Sequence, residues 1–258
     1  MEAVEPDPRL SQLSTQWSLI FDAHSGSPDQ ASEALTQLML RYSGAVHRYL
    51  LKVVGDAKVV EELDQEFALR FLQGGFRGFD PSRGRFRDYV KQAVRHLMID
   101  HFRRKPPAQL DTDWERRIVG ETGLEDFDRE FLESWRKELL ERTWKALDDL
   151  EQKTGQPYHR LLRFRIAHPE LRSAEMAQRL SATLGKAITA GGVRQALARA
   201  RDKFAQLLVA EVRFSLNSPS VDELEEELGE LKLLEYCRSV LRRMGPGGGR
   251  EPWRGSGR

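Results

Sequence analysis

Residues 173–208 read SAEMAQRLSATLGKAITAGGVRQALARARDKFAQLL, and their apolar positions divide into two helical stripes. Ser173 can cap the first stripe, whose Met176, Ala177 and Leu180 share a face, and Gly185 breaks it. Thr189 can cap the second, in which Val193, Leu197, Ala200, Phe204 and Leu208 recur at three- and four-residue spacing. Gln195, Ala198, Arg199 and Asp202 project away from that face, with Arg194 and Arg201 at its margin and Lys203 opposite them. The pattern is helix, turn, helix. In that motif the early residues of the second helix meet base edges in the major groove. Arg suits guanine there and Gln suits adenine, each through paired hydrogen bonds. Ala190-Gly191-Gly192 either lets the backbone approach phosphates closely or is simply a loose helix start.

The same helical period runs through the rest of the chain. Leu35, Leu38, Met39, Tyr42, Val46, Tyr49, Leu50 and Val53 form one stripe, stopped at Gly55. Asp56 can cap a second helix carrying Val60, Leu63, Phe67 and Phe71, which ends at Gly74-Gly75. After the turn FDPSRGR, a third helix places Phe86, Tyr89, Val90, Ala93 and Leu97 on one face, and Pro106-Pro107 closes it. A long helix with Phe127, Phe131, Trp135, Leu139 and Leu147 on its core side follows, then a short one over Tyr158–Ala167. His168-Pro169 interrupts before the two helices already described. Ser220 and Glu223 open a last, acidic helix with Leu224, Leu228, Leu231 and Leu234. No segment has strand period, so the chain is expected to be all-α.

A chain of 258 residues with 40% hydrophobic and 31% charged side chains can bury a core and stay soluble. No apolar run approaches the ~18 residues of a membrane span, and the acidic start MEAVEPDPRL lacks the form of a secretory signal. The single cysteine, Cys237, excludes an internal disulfide and is expected to be buried. A cytoplasmic location is the simplest reading. The net charge of +1 conceals a strong segregation. Residues 70–105 hold ten Lys/Arg against three Asp/Glu, and residues 159–203 hold the same numbers. Residues 111–151 hold seven against fourteen, and residues 211–235 two against eight. Two basic blocks suit two surfaces that neutralise a polyanion.

Within the first basic block Arg87, Lys91 and Arg95 line one stripe of the third helix, without acidic partners at i±4, and Arg83 and Arg85 lie just before it. Phosphate or base contact is the expected role. Aromatics interleave with these cations: Phe76, Phe79, Phe86, Tyr89 and Phe102 are mostly core, with one or two suited to stacking on single-stranded bases. His96 and Asp100 are a turn apart, but neither further histidines nor carboxylates complete a metal set. Asp100 is expected to pair with Arg103 or Arg104. No P-loop, nucleophile elbow or dinucleotide fingerprint occurs. Neither a catalytic function nor a cofactor is expected.

The run VVEELDQEFALRFL (residues 59–72) followed by FDPSRGRFRDYVKQAVRHLMIDHFRR (residues 79–104) resembles region two of bacterial extracytoplasmic-function sigma factors of the sigma-70 superfamily. Residues 173–208 are similar to region four of the same family, in the family's order. The resemblance implies that Glu62, Leu63, Gln65 and Glu66 carry the signature that docks on the clamp helices of the RNA polymerase β′ subunit. It places a Phe-x-x-Trp-Leu motif on Phe86, Tyr89 and Val90, with Tyr89 where the family has Trp. It aligns Val94, Arg95 and His96 with an Ala-Arg-Asn sequence, so His96 stands where Asn helps to capture a flipped base. It aligns Asp100 and Arg103 with Asp-x-x-Arg, and Arg199, Ala200 and Arg201 with an Arg-Ala-Arg of the recognition helix.

These readings define the expected organisation. An N-terminal segment (1–29) precedes a region-two domain (30–105), a linker (106–125), a region-four domain (126–214), and an acidic helical extension with a tail (215–258). Glu62, Gln65 and Glu66 would hold core polymerase. Arg83, Arg85, Arg87, Lys91, Arg95 and His96 would act at the −10 element, and Arg194, Gln195, Arg199 and Lys203 at the −35 element. The partners implied are core polymerase through its β′ clamp helices and β subunit, promoter DNA, and an anti-sigma factor or other regulator. The alternative is a polymerase-independent helix-turn-helix regulator.

Overall fold

A computed structural model describes residues 28–73, 79, 84–104, 121–184, 187–216 and 219–245, with side chains omitted at 28–35, 37, 121–124 and 183–184. The described residues are all-α. In chain order the helices are α1 (Pro28–Val54), α2 (Ala57–Leu72), α3 (Phe86–Arg103), α4 (Glu121–Thr154), α5 (Tyr158–Ala167), α6 (Ser173–Leu184), α7 (Ala190–Phe214), α8 (Val221–Glu230) and α9 (Leu234–Met244). They form two compact units. Of the described residues, one takes those up to Glu138 and returns for 213–216; the other takes those of Leu139–Val212 and 219–245. The division falls inside α4, between Glu138 and Leu139. The reason is packing. Phe127, Phe131 and Trp135 of α4 are buried, and all three rings lie against residues of α1.

In the first unit, Asp56 caps α2 by accepting the amides of Lys58 and Val59, and Gly55 ends α1 at φ +74°, where a side chain would be strained. α2 buries Val60, Leu63, Phe67 and Phe71, as its period requires. An aromatic series runs through the core. Trp135 stacks on Tyr42 at 4.7 Å, Tyr42 meets Phe86 edge-on at 5.1 Å, and Phe86 meets Phe79 at 5.0 Å. Tyr49 meets Phe127 and Phe131 edge-on at 4.8 and 5.6 Å. Such pairs add to the area they bury. Gly44 lies inside α1 because a Cβ there would strike the Glu138 carboxylate.

α3 is buried over a wider arc than its sequence indicates. Phe86, Val90 and Leu97 are inside as expected, but so are Arg87, Val94 and Met98, while Tyr89 and Ala93 are only half-buried.

In the second unit Leu147, Leu161, Leu162, Leu171, Met176, Ala177, Val193, Leu197 and Ala200 form one core, flanked by Trp144, Leu180 and Phe204. Trp144 lies 4.7 Å from Phe204, and the Arg163 guanidinium covers its other environment at 4.3 Å from the ring centre. Glu151 of α4 accepts the Arg160 amide at 3.0 Å and the Arg160 side chain, closing the turn into α5.

Two helix starts and one helix end repay comparison with the sequence. Thr189 caps α7 through the Gly192 amide at 3.0 Å, as expected. Ser173, by contrast, is the first residue of α6 and not its cap: Met176 N–H bonds to the Arg172 carbonyl, and Glu175 reaches back to the Arg172 amide at 2.7 Å. Ser220 and Glu223 form the reciprocal capping box at the start of α8. The helix does not run on through Leu231 and Leu234. It ends at Glu230, where Lys232 adopts φ +56°, Lys232 N–H bonds to the Gly229 carbonyl, and Leu233 N–H bonds to the Leu228 carbonyl. This is a Schellman motif with lysine where glycine is usual, and its apolar clasp joins two buried leucines, Leu228 and Leu233. The extension is thus a pair of helices, packed through Leu224, Leu228, Cys237, Val240 and Leu241.

Two expectations follow. Trp135→Ala removes a fully buried ring from the core and should cost about 3–5 kcal/mol in urea denaturation. Burial pushes the Cys237 thiol up to about 12. The folded thiol therefore stays protonated at pH 9, where an unfolded one is ionising, so rising pH favours the unfolded chain. Labelling of Cys237 by iodoacetamide at pH 9 should follow the rate of opening and accelerate sharply in denaturant; rapid labelling of the native chain would contradict its burial.

Candidate nucleic-acid interface

The exposed side of α2 carries the first set of candidate residues. Glu62, Gln65 and Glu66 share it, opposite the buried Val60–Leu63–Phe67 face. Glu62 is about half-exposed, with His101 Nε2 4.0 Å from its carboxylate. Glu66 accepts Arg70 Nε at 2.8 Å, and the same guanidinium reaches Asp100 at 3.2 Å. Asp100 thus pairs across helices with Arg70 and not with Arg103 or Arg104 as the sequence suggested. Its partner is thirty residues away in sequence but adjacent in the α2–α3 packing.

The basic stripe of α3 is largely withdrawn from solvent. Arg87 is 5% exposed, with its Nε 3.6 Å from Asp88. Lys91 has a side chain 16% exposed and sits 3.0 Å from Asp128 of α4 and 3.6 Å from Asp88. Arg95 and Arg85 are half-buried, and His96 is exposed. Arg83 lies outside the described residues, as does Phe76. The stripe indeed lacks carboxylates at i±4; Asp88 of α3 itself and Asp128 of α4 serve instead. α4 also supplies Glu130 and Glu133 to Lys52 and Glu138 to Arg48. The Lys52 ammonium is held above its ordinary range, by Glu130 first and Glu133 second, and Glu133 is held correspondingly low by Lys52. The acidic run of residues 111–151 was the sequence signal for this arrangement.

On α7 the outward stripe is as the period required. Arg194, Gln195 and Arg199 are exposed, within a turn and a half of one another, behind the capped N-terminus. Asp202 is engaged: it accepts Gln206 Nε2 at 2.8 Å and pairs with Arg243 of α9. Arg199 forms no pair with it and makes no ion pair among the described residues. Lys203 is half-buried and donates to Gln206 Oε1 at 3.3 Å. No group of three or more potential metal ligands occurs among the described residues, and His96 stands apart from Asp100's pairing with Arg70. Nor is any helix among them long and apolar enough to cross a membrane.

The segment that carries α2 and α3 has a recognisable relative. Residues 38–106 match the family model of Sigma-70 region 2. The match runs from within α1 through α2 to just past the end of α3, so it takes in Glu62, Gln65, Glu66 and the α3 basic residues. No curated protein and no solved structure gave a match to the chain. The match covers residues 59–104, the part of the chain whose sequence resembles region two, and supports the resemblance over that segment.

The two kinds of arginine in this chain should behave differently on substitution. Arg48→Ala takes a cation from Glu138, which is 8% exposed, and should cost on the order of 1–3 kcal/mol in chemical denaturation. Arg199→Ala should stay within about 0.5 kcal/mol of the parent, because nothing in the fold leans on it.

Proposed function

We propose that this protein is a sigma factor of the extracytoplasmic-function type, which binds core RNA polymerase and directs it to promoters. The observation that carries the reading is a Sigma-70 region 2 segment followed, in the same chain, by a capped helix-turn-helix presenting Arg194, Gln195 and Arg199 to solvent. On this reading Glu62, Gln65 and Glu66 hold the polymerase β′ clamp helices, and the first unit acts at the −10 element. Melting there needs no covalent chemistry from the sigma factor. Capture of an unstacked base offsets an opening cost of a few kcal/mol, and His96, exposed on α3, is placed in sequence to read it. The burial of Arg87 and Lys91 narrows the −10 contacts to Arg85, Arg95, His96 and Arg83 until the Asp88 and Asp128 pairs are exchanged for phosphate. The α6–α7 helix-turn-helix reads −35 duplex, with Lys203 at the backbone. A regulator, an anti-sigma factor among them, fits the same class, and the work is done in the cytoplasm beside the polymerase.

Run-off transcription with purified core polymerase on a genomic promoter library tests the whole reading. Discrete start sites that depend on this chain support it. Binding to palindromic duplex without polymerase, and no initiation, would instead make the protein a polymerase-independent regulator. Glu62→Lys with Glu66→Lys should abolish co-elution with core enzyme at unchanged helical content. In a −35 library selected with holoenzyme, Arg199→Ala should flatten one or two positions, since a bidentate base contact is worth about 1–3 kcal/mol of discrimination. Lys203→Ala should weaken all sequences alike.

A further inference from the structure

α9 belongs to a stretch read from sequence as acidic, yet its charge is basic. Residues 231–245 contain Lys232, Arg238, Arg242 and Arg243 against Glu235 alone, and two of these arginines fall in the last turn of the helix. The acidic residues of the extension are concentrated on α8. The base-rich helix is also tied to a particular place. Arg243 pairs with Asp202 of α7, whose other carboxylate oxygen takes Gln206. Asp202 is not a random surface residue. It continues the stripe Gln195–Arg199–Asp202, at i, i+4 and i+7, on the face that turns away from the core. An uncompensated carboxylate at that position would repel a phosphate backbone lying along α7. Arg243 neutralises it and brings the last turn of α9 beside the reading stripe. The helix flanks that stripe without covering it, because Arg194, Gln195 and Arg199 all remain exposed. Next to Arg243, Arg242 is exposed and makes no ion pair among the described residues. Arg238, a turn earlier, is half-exposed and shared with Glu235 at 2.7 Å.

The geometry points to α9 as a second DNA-backbone element: Arg242 and Arg243 contact phosphates flanking the duplex that α7 reads, and Arg243 at the same time removes the repulsion from Asp202. This rests on the −35 reading of α7 proposed above. It gives the C-terminal extension a direct part in promoter affinity, independent of base sequence.

The test uses holoenzyme reconstituted from the full-length chain and core polymerase, on a duplex carrying the −35 element selected by the parent holoenzyme. Affinity is measured between about 50 and 200 mM salt. Arg242→Ala should lower the slope of log affinity against log salt by about one and weaken selected and unselected duplexes by the same factor. Arg243→Ala should weaken binding further than Arg242→Ala, and adding Asp202→Asn to it should restore part of the loss. A merely structural role for these arginines would move thermal stability in step with affinity, so thermal melting of each variant separates the two: losses of affinity at unchanged melting support the phosphate contacts, and losses that track melting overturn them. An unchanged salt slope and affinity in Arg242→Ala, with Arg199→Ala still altering selectivity, overturns the role of α9 and leaves the −35 reading standing. If Arg242→Ala weakens core polymerase binding and not DNA binding, the surface belongs to the polymerase and the proposal is wrong. A parent holoenzyme with no preference for any −35 duplex overturns both.

Discussion

Trp135 has its ring entirely out of water against Tyr42, and the geometry of the first unit is organised by that stack. A Trp–Tyr pair 4.7 Å apart and nearly parallel fixes both the separation and the rotation of α4 on α1. With α4 so placed, its carboxylates are committed. Glu138 meets Arg48, Glu130 and Glu133 meet Lys52, and Asp128 meets Lys91. It also explains the absent side chain at Gly44, where the two helices leave no room beside Glu138. An aromatic contact thus decides which cations of the first unit face water.

Charge in this protein is patterned at the level of helices, and neutralisation works across them. The net charge of +1 is the sum of basic and acidic stretches whose members find one another in the folded chain. Arg70 bridges Glu66 and Asp100, Arg142 reaches Glu211 at 3.2 Å, and Arg243 reaches Asp202. What stays unpaired is correspondingly informative. Arg194, Gln195 and Arg199 have solvent around them although carboxylates are abundant elsewhere.

The features legible in the sequence were those decided by neighbours a few residues apart. Asp56, Thr189 and the Ser220–Glu223 pair announced their helices because a cap is a local bargain between one side chain and the next amides. The inward stripes of α2 and α7 were legible for the same reason, and they left Glu62, Gln65, Glu66 and the Arg194–Arg199 group outside. The burial of the α3 basic stripe was not legible, because the α4 partner of Lys91, Asp128, lies thirty-seven residues beyond it. The division between the two compact units inside the same helix was not legible either: Phe127, Phe131 and Trp135 have the period of a core face, but a period does not say whose core. The break between α8 and α9 was hidden because lysine, not glycine, occupies the left-handed position.

That lysine has a consequence for how the extension tolerates change. A left-handed backbone costs a side-chain-bearing residue roughly 1–2 kcal/mol, whereas glycine adopts it freely. At position 232 the usual hierarchy of substitutions is therefore inverted. The residue that ordinarily breaks helices is the one the backbone favours, and β-branched residues, harmless at many exposed sites, are the ones it resists. Drift at this single exposed site would register in the joint between an acidic and a basic helix, with no apolar contact altered.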